Sequence, residues 1–159
     1  MSTKLFAPLL LLLCVNPTQT PSSSATELRM RLVDVRDAHP YANVKIWMQF
    51  HVPRTPELQT LEETTRTDGV AVFHLPDAVP KVVGVHLASG GLYYCFRTYP
   101  IDTDQVIKEG LVDRCTRPPQ SCACKFSKQI DAIQARPGEV VLPARPFTRR
   151  ERFLGHIWE

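Results

Sequence analysis

The chain has 159 residues, 43% of them hydrophobic and 22% charged, with a net charge of +3. That balance excludes a disordered polyelectrolyte. The mild positive excess gathers near the C-terminus and does not imply a nucleic-acid partner. Proline is abundant (14) and glycine scarce (7), a composition that suits short strands with proline-broken loops rather than long helices.

Residues 1–25 have the layout of a secretory signal peptide: Lys4, an apolar run from Leu5 to Val15, then polar residues, with Ser23 and Ala25 suiting cleavage before Thr26. The apolar run is too short to span a bilayer comfortably. The chain is therefore expected to be secreted or periplasmic, with no transmembrane segment after signal cleavage. The alternative is a lipoprotein acylated at Cys14, but such sites want a small residue before the cysteine, where Leu13 stands. The roughly 135 residues left after cleavage are enough for one domain with a core.

The first strand is expected where Leu28, Met30 and Leu32 alternate with Arg29 and Arg31. After a turn at Asp37–Pro40 comes the clearest strand. Val44, Ile46, Met48, Phe50 and Val52 point one way, and Lys45, Trp47, Gln49 and His51 the other. Trp47 thus sits on the polar face, either covered by a loop or the C-terminal tail or exposed as a contact residue. Residues 53–66 read as a long polar loop.

Asp68-Gly69 then turns into Val70–Leu75, with Ala71, Phe73 and Leu75 facing the core. The chain turns again at Asp77–Pro80 and returns with Val83, Val85 and Leu87 inward. Residues 92–96 form a further strand. Asp102 and Gln105 make a capping box for a short helix that Gly110 stops. Glu139–Leu142 is the last strand, and Thr148 with Glu151 caps a C-terminal helix whose Phe153, Leu154, Ile157 and Trp158 share a face.

Thr67-Asp68-Gly69-Val70-Ala71-Val72-Phe73-His74-Leu75-Pro76, preceded by Pro40-Tyr41-Ala42-Asn43-Val44-Lys45-Ile46, resembles the signature of carboxypeptidase-regulatory-like domains. The similarity covers about residues 28–90. It implies a transthyretin-like, immunoglobulin-like β-sandwich of the kind found as a module in bacterial exported proteins. The run from Pro137-Gly138-Glu139 to Glu151-Arg152-Phe153 also resembles the C-termini of small secreted transthyretin-like proteins of soil bacteria, in which a helix and a cysteine pair precede the last strand. One transthyretin-like family, the hydroxyisourate hydrolases, is enzymatic. It carries an early His, an Arg after the Asp-Gly turn and a Tyr-Arg-Gly-Ser ending. Here Val70 follows Gly69 and the chain ends His156-Ile157-Trp158-Glu159, which argues against that activity.

Besides Cys14, four cysteines are present: Cys95, Cys115, Cys122 and Cys124. In an exported chain an even number implies disulfides, and four allow three pairings. Cys95–Cys115 is the favoured pair, since it ties the short helix back to the strand it leaves. Its loop would contribute roughly 3 kcal/mol in the chain-entropy model. Cys122 and Cys124 would then pair with each other or stay as thiols. The two crossed pairings avoid the strained Cys-x-Cys ring. Cys122/Cys124 as a redox pair or soft-metal clamp is the functional alternative, although neither motif has this spacing. If the strands around the Asp77–Pro80 turn pair as a hairpin, His74 and His86 share its solvent face and could hold a metal, or be exposed polar positions.

Gly-x-Ser-x-Gly, His-Glu-x-x-His and glycine-rich phosphate loops are absent from the sequence. The best candidate contact surface is the tail, where Arg149, Arg150 and Arg152 lie beside Phe153 and Trp158; Trp47 is the other. A basic amphipathic helix fits a protein partner or an anionic envelope surface, or folds back on the domain.

The expectation is therefore an all-β fold: an immunoglobulin-like or transthyretin-like sandwich of about seven strands over residues 26–143, with a short helical insertion and an amphipathic tail over 144–159. Its expected function is that of a non-enzymatic binding or structural module without a cofactor. The alternative is a small envelope metal- or thiol-redox protein using Cys122 and Cys124.

Overall fold

The computed structural model describes residues 26–52, 54–88, 91–96, 98, 100–114 and 124–155. The signal-peptide reading, Cys14, Cys115, Cys122 and Trp158 lie outside these residues, as does the side chain of Phe153.

In chain order the elements are β1 (Glu27–Asp34), β2 (Lys45–His51), β3 (Leu58–Thr64), β4 (Val70–His74), β5 (Val82–Leu87), β6 (Leu92–Tyr94), β7 (Ile101–Asp102), α1 (Thr103–Glu109), β8 (Leu111–Val112), α2 (Lys128–Asp131), β9 (Glu139–Pro146) and α3 (Arg149–Gly155). They form a five-stranded sheet, ordered β4-β1-β9-β6 with β8 also on β9, and a four-stranded sheet, ordered β3-β2-β5-β7. β1 and β9 run parallel, from Arg29 opposite Glu139 to Asp34 opposite Ala144. β2 is antiparallel to both its neighbours.

Strand alternation puts one face of each sheet into a shared core. Leu28, Met30 and Leu32 of β1 and Val140, Leu142 and Ala144 of β9 meet Ile46, Met48 and Phe50 of β2 and Val83 and Val85 of β5. Ala71, Phe73 and Leu75 join them as the alternation requires. Two sheets over one core, with few short helices, is an arrangement consistent with a β-sandwich.

Gly69 shows why the Asp-Gly turn is needed. Its φ is +76°, and a Cβ there would lie 2.7 Å from the Leu32 carbonyl oxygen and 2.8 Å from Pro40 Cβ. The Gly69 carbonyl in turn accepts the Leu32 amide at 2.9 Å. The turn after β3 is thus wedged against β1. Gly110 ends α1 in the same way: its φ is +76°, and its amide donates to the Val106 carbonyl. At the other end of α1, Asp102 Oδ1 accepts the Gln105 amide at 3.1 Å, as the capping box predicts.

Three expectations need correction. Residues 53–66 are not all loop, because Leu58–Thr64 forms β3, an edge strand that pairs along its length with β2. Its side chains are largely exposed, so no apolar alternation marks it in the sequence. Secondly, β4 and β5 do not form a hairpin. They belong to different sheets, and the 75–81 connection crosses between them. Thirdly, Cys95 pairs not with Cys115 but with Cys124, at a Cα–Cα distance of 5.7 Å. The chain around Cys124 returns towards β1, where the Ser127 amide donates to the Val35 carbonyl at 3.0 Å, and that path brings Cys124 to the buried Cys95.

A buried carboxylate locks the turn after β1. Asp34, 4% exposed, accepts the Arg36 amide at 2.8 Å, Arg36 Nε at 2.9 Å, Arg36 Nη2 at 2.5 Å and the Tyr41 hydroxyl at 2.6 Å. The Arg36 hydrogen bonds are the main cause that lowers its pKa to about 2, against the opposing effect of burial. Burial, followed by the Asp34 hydrogen bond, pushes the Tyr41 phenol well above its usual value.

Candidate functional site

The two sheets differ in what covers their outer faces. On the five-stranded sheet, Val33 and Val141 point away from the main core and are buried under Ile130 of α2, with Val112, Phe126 and Ile133 packed around them. Ser127 caps α2, its Oγ accepting the Ile130 amide at 3.4 Å. Arg114 Nη2 donates to the Ile130 and Asp131 carbonyls. The Cys95–Cys124 bond anchors the same segment. The described residues 124–133 therefore cover the Val33–Val141 part of this face, while Glu27, Arg29 and His74 on the same face stay exposed.

The four-stranded sheet has an exposed outer face. The β2–β3 and β2–β5 registers arrange it in cross-strand rows: His86, Trp47 and Glu62; then Gly84, Gln49 and Thr60; then His51 and Leu58. Trp47 (38% exposed) and Leu58 (53%) are the large hydrophobic side chains left exposed among the described residues. The indole is nonetheless held in place. Trp47 Nε1 donates to Glu62 Oε2 at 2.6 Å, and Lys45 Nζ sits 2.6 Å from Glu62 Oε1. These two donors, Lys45 first, lower the Glu62 pKa. Gln49 Nε2 reaches Thr60 Oγ1 at 3.4 Å. The row thus carries one aromatic ring held in orientation by its neighbours on the sheet surface.

At the end of this face that carries His51 and Leu58 lies an open cleft of about 640 Å³, lined on one side by Val52, Arg54, Thr55 and Leu58 and on the other by residues 79–82. It falls within the range of small-molecule sites.

The C-terminal contact candidates have a different setting. The second capping box forms as the sequence predicts: Glu151 Oε2 accepts the Thr148 amide at 2.8 Å, and the Glu151 amide donates to Thr148 Oγ1 at 3.2 Å. Arg145 of β9 adds a two-pronged contact to Glu151, at 2.8 and 2.6 Å. The Arg145 guanidinium lies 4.2 Å above the Tyr93 ring, which meets Phe147 edge-on. Arg145 is the main cause that lowers the Glu151 pKa to about 2. The first turn of α3 is thus fixed to the β6–β9 edge, on the opposite sheet from Trp47. Arg149, Arg150 and Arg152 are exposed on it, and Arg152 Nε donates to the Phe147 carbonyl at 3.3 Å.

His74 and His86, considered as a metal pair, stand on different sheets. Glu27 approaches His74 at 3.7 Å, whereas His86 lines the cleft. Among the described residues no group of three or more His, Cys, Asp or Glu side chains is placed to hold a metal ion, and no helix is long and apolar enough to cross a membrane. Sequence reasoning singled out Trp47, and named His86 only as a possible metal ligand, but missed Leu58 and Glu62 on the same face. The signal for these two was the register of β3, a strand with no apolar face.

No family model matches the chain, and no curated protein matches it. Among solved structures, a 9R-lipoxygenase from Cyanothece PCC8801 aligns at 14% identity and a TM-score of 0.32, over 55% of this chain and 14% of that one. A likeness this low does not bear on fold or function.

Proposed function

We propose that the protein is a non-enzymatic exported binding module, a β-sandwich of the carboxypeptidase-regulatory-like and transthyretin-like kind, which binds through the outer face of its four-stranded sheet. The carrying observation is the asymmetry of the two outer faces. A segment with its own apolar cluster and a disulfide covers part of one, while the other keeps Trp47 and Leu58 exposed beside a cleft. Exposed aromatic and aliphatic side chains on an otherwise polar sheet are a common mark of an interaction surface.

The immunoglobulin-like assignment draws support from the passage of the chain between sheets at β4–β5, as in Greek-key sandwiches. Export draws support from the signal-like leader and from a disulfide, which persists in oxidising compartments. The thiol or metal alternative needs Cys124 as the working partner of Cys122, whereas Cys124 is joined to Cys95, and no observation favours it.

The test is a comparison of wild type with Trp47→Ser/Leu58→Ser as immobilised bait for the exported fraction of the native host. Capture by the wild type and its loss in the variant, with both proteins melting alike, supports the proposal. Equal capture by both contradicts it.

A further inference from the structure

The cleft has a chemistry of its own. Its apolar walls come from Leu58, Val79 and Val82, and its charged groups are Arg54 and Lys81. Among the described residues no carboxylate lines it, and none of the ion pairs formed among them involves Arg54 or Lys81. Five other basic side chains, Arg31, Arg36, Lys45, Arg114 and Arg145, do meet acidic partners.

Arg54 also sits on a shaped loop. Its backbone is left-handed, with φ +69°, a conformation that costs a non-glycine residue about 1 kcal/mol or more. The loop is closed by the Val52 amide donating to the Glu57 carbonyl at 3.0 Å. The Thr55 amide and hydroxyl both donate to the Val52 carbonyl, at 3.1 and 3.2 Å. A strained, hydrogen-bonded loop thus carries one cation to the rim, and the 79–82 segment carries the other.

We propose that this cleft binds a small amphiphilic carboxylate. The apolar body would lie along Leu58 and Val82, and the carboxylate would meet Arg54 and Lys81. Charge complementarity selects the class: two unpaired cations over apolar walls attract an anion with an apolar tail and do not reward a neutral or cationic one. The inference rests on the reading of this sheet face as the binding surface, and adds which ligand its end accepts.

Isothermal titration of the full exported protein at about pH 7.5, where a fatty carboxylate is ionised, tests it with decanoate, decanol and an acidic decapeptide as probes. Decanoate is expected to bind, with decanol about tenfold weaker or more, as expected for loss of a charge-assisted contact. Arg54→Gln/Lys81→Gln, two exposed substitutions that leave the melting temperature unchanged, should reduce decanoate to the affinity of decanol. Equal binding of decanoate and decanol overturns the assignment, as does tighter binding of the peptide or unaltered decanoate binding in the variant. If decanoate fails to bind while the Trp47→Ser/Leu58→Ser comparison still shows loss of capture, the ligand class falls and the binding face stands. Decanoate binding without any such loss has the opposite meaning.

Discussion

Protonating or replacing Asp34 perturbs a dense set of polar contacts at the end of β1. The carboxylate accepts four hydrogen bonds, three from Arg36 and one from Tyr41. Its pKa falls from the ordinary 3.8 to about 2. A depressed folded-state pKa means that the unfolded chain binds the proton more readily. The stabilisation is therefore full above about pH 4 and is lost as the pH falls through about 2. At 1.36 kcal/mol per unit, a shift of this size corresponds to about 2 kcal/mol at neutral pH. Asp34→Asn should lower the melting temperature by ~8 °C at pH 7. Thermal unfolding followed by circular dichroism from pH 7 to pH 2 makes the comparison, and the gap between wild type and variant should shrink steeply below about pH 4. Tyr41→Phe, which removes one of the four bonds, should cost about 1 kcal/mol. A variant that melts with the wild type at pH 7, or a gap that persists undiminished at pH 2, refutes the reasoning.

Other expectations can be checked on the same material. Cys95→Ser/Cys124→Ser opens a loop with a sequence separation of 29 and should cost about 3.5 kcal/mol in the chain-entropy model; peptide mapping of the unreduced protein should recover a Cys95–Cys124 peptide and none joining Cys95 to Cys115. Gly69→Ala forces a side chain against the Leu32 carbonyl and Pro40 at a left-handed φ, and a loss of roughly 2 kcal/mol or more in denaturant unfolding is expected. Arg145→Ala removes the ion pair and the ring contact that hold the first turn of α3, so amide exchange at Glu151 and Arg152 should rise while the exchange of β1 and β2 stays unchanged.

The core was readable from the sequence because strand alternation is a local signal. Leu28, Met30 and Leu32, then Ile46, Met48 and Phe50, show their inward face in the sequence, and all are buried. Both capping boxes were readable for the same reason, since each joins residues three apart. β3 was not, because an edge strand whose side chains face solvent is held by backbone bonds to β2 that leave no mark on composition. The β4–β5 crossing was also hidden: a turn with flanking strands reads alike whether the strands pair or part to different sheets. The disulfide partner of Cys95 depends on the path of the insertion, and sequence spacing favoured the nearer Cys115. The candidate site shares this non-local origin. Trp47 could be placed on a polar face, but its meeting with Glu62 and His86 is a product of register.

The partly covered face and the open face make the account's central distinction, so the most direct test asks where a ligand lands. Amide chemical shifts of the isotopically labelled protein should be recorded with and without the exported fraction of its native host. The account predicts perturbations concentrated on Trp47, Gln49, Thr60, Glu62 and His86. Perturbations confined instead to the α2 insertion or to Arg149–Arg152, with the four-stranded sheet silent, would contradict it.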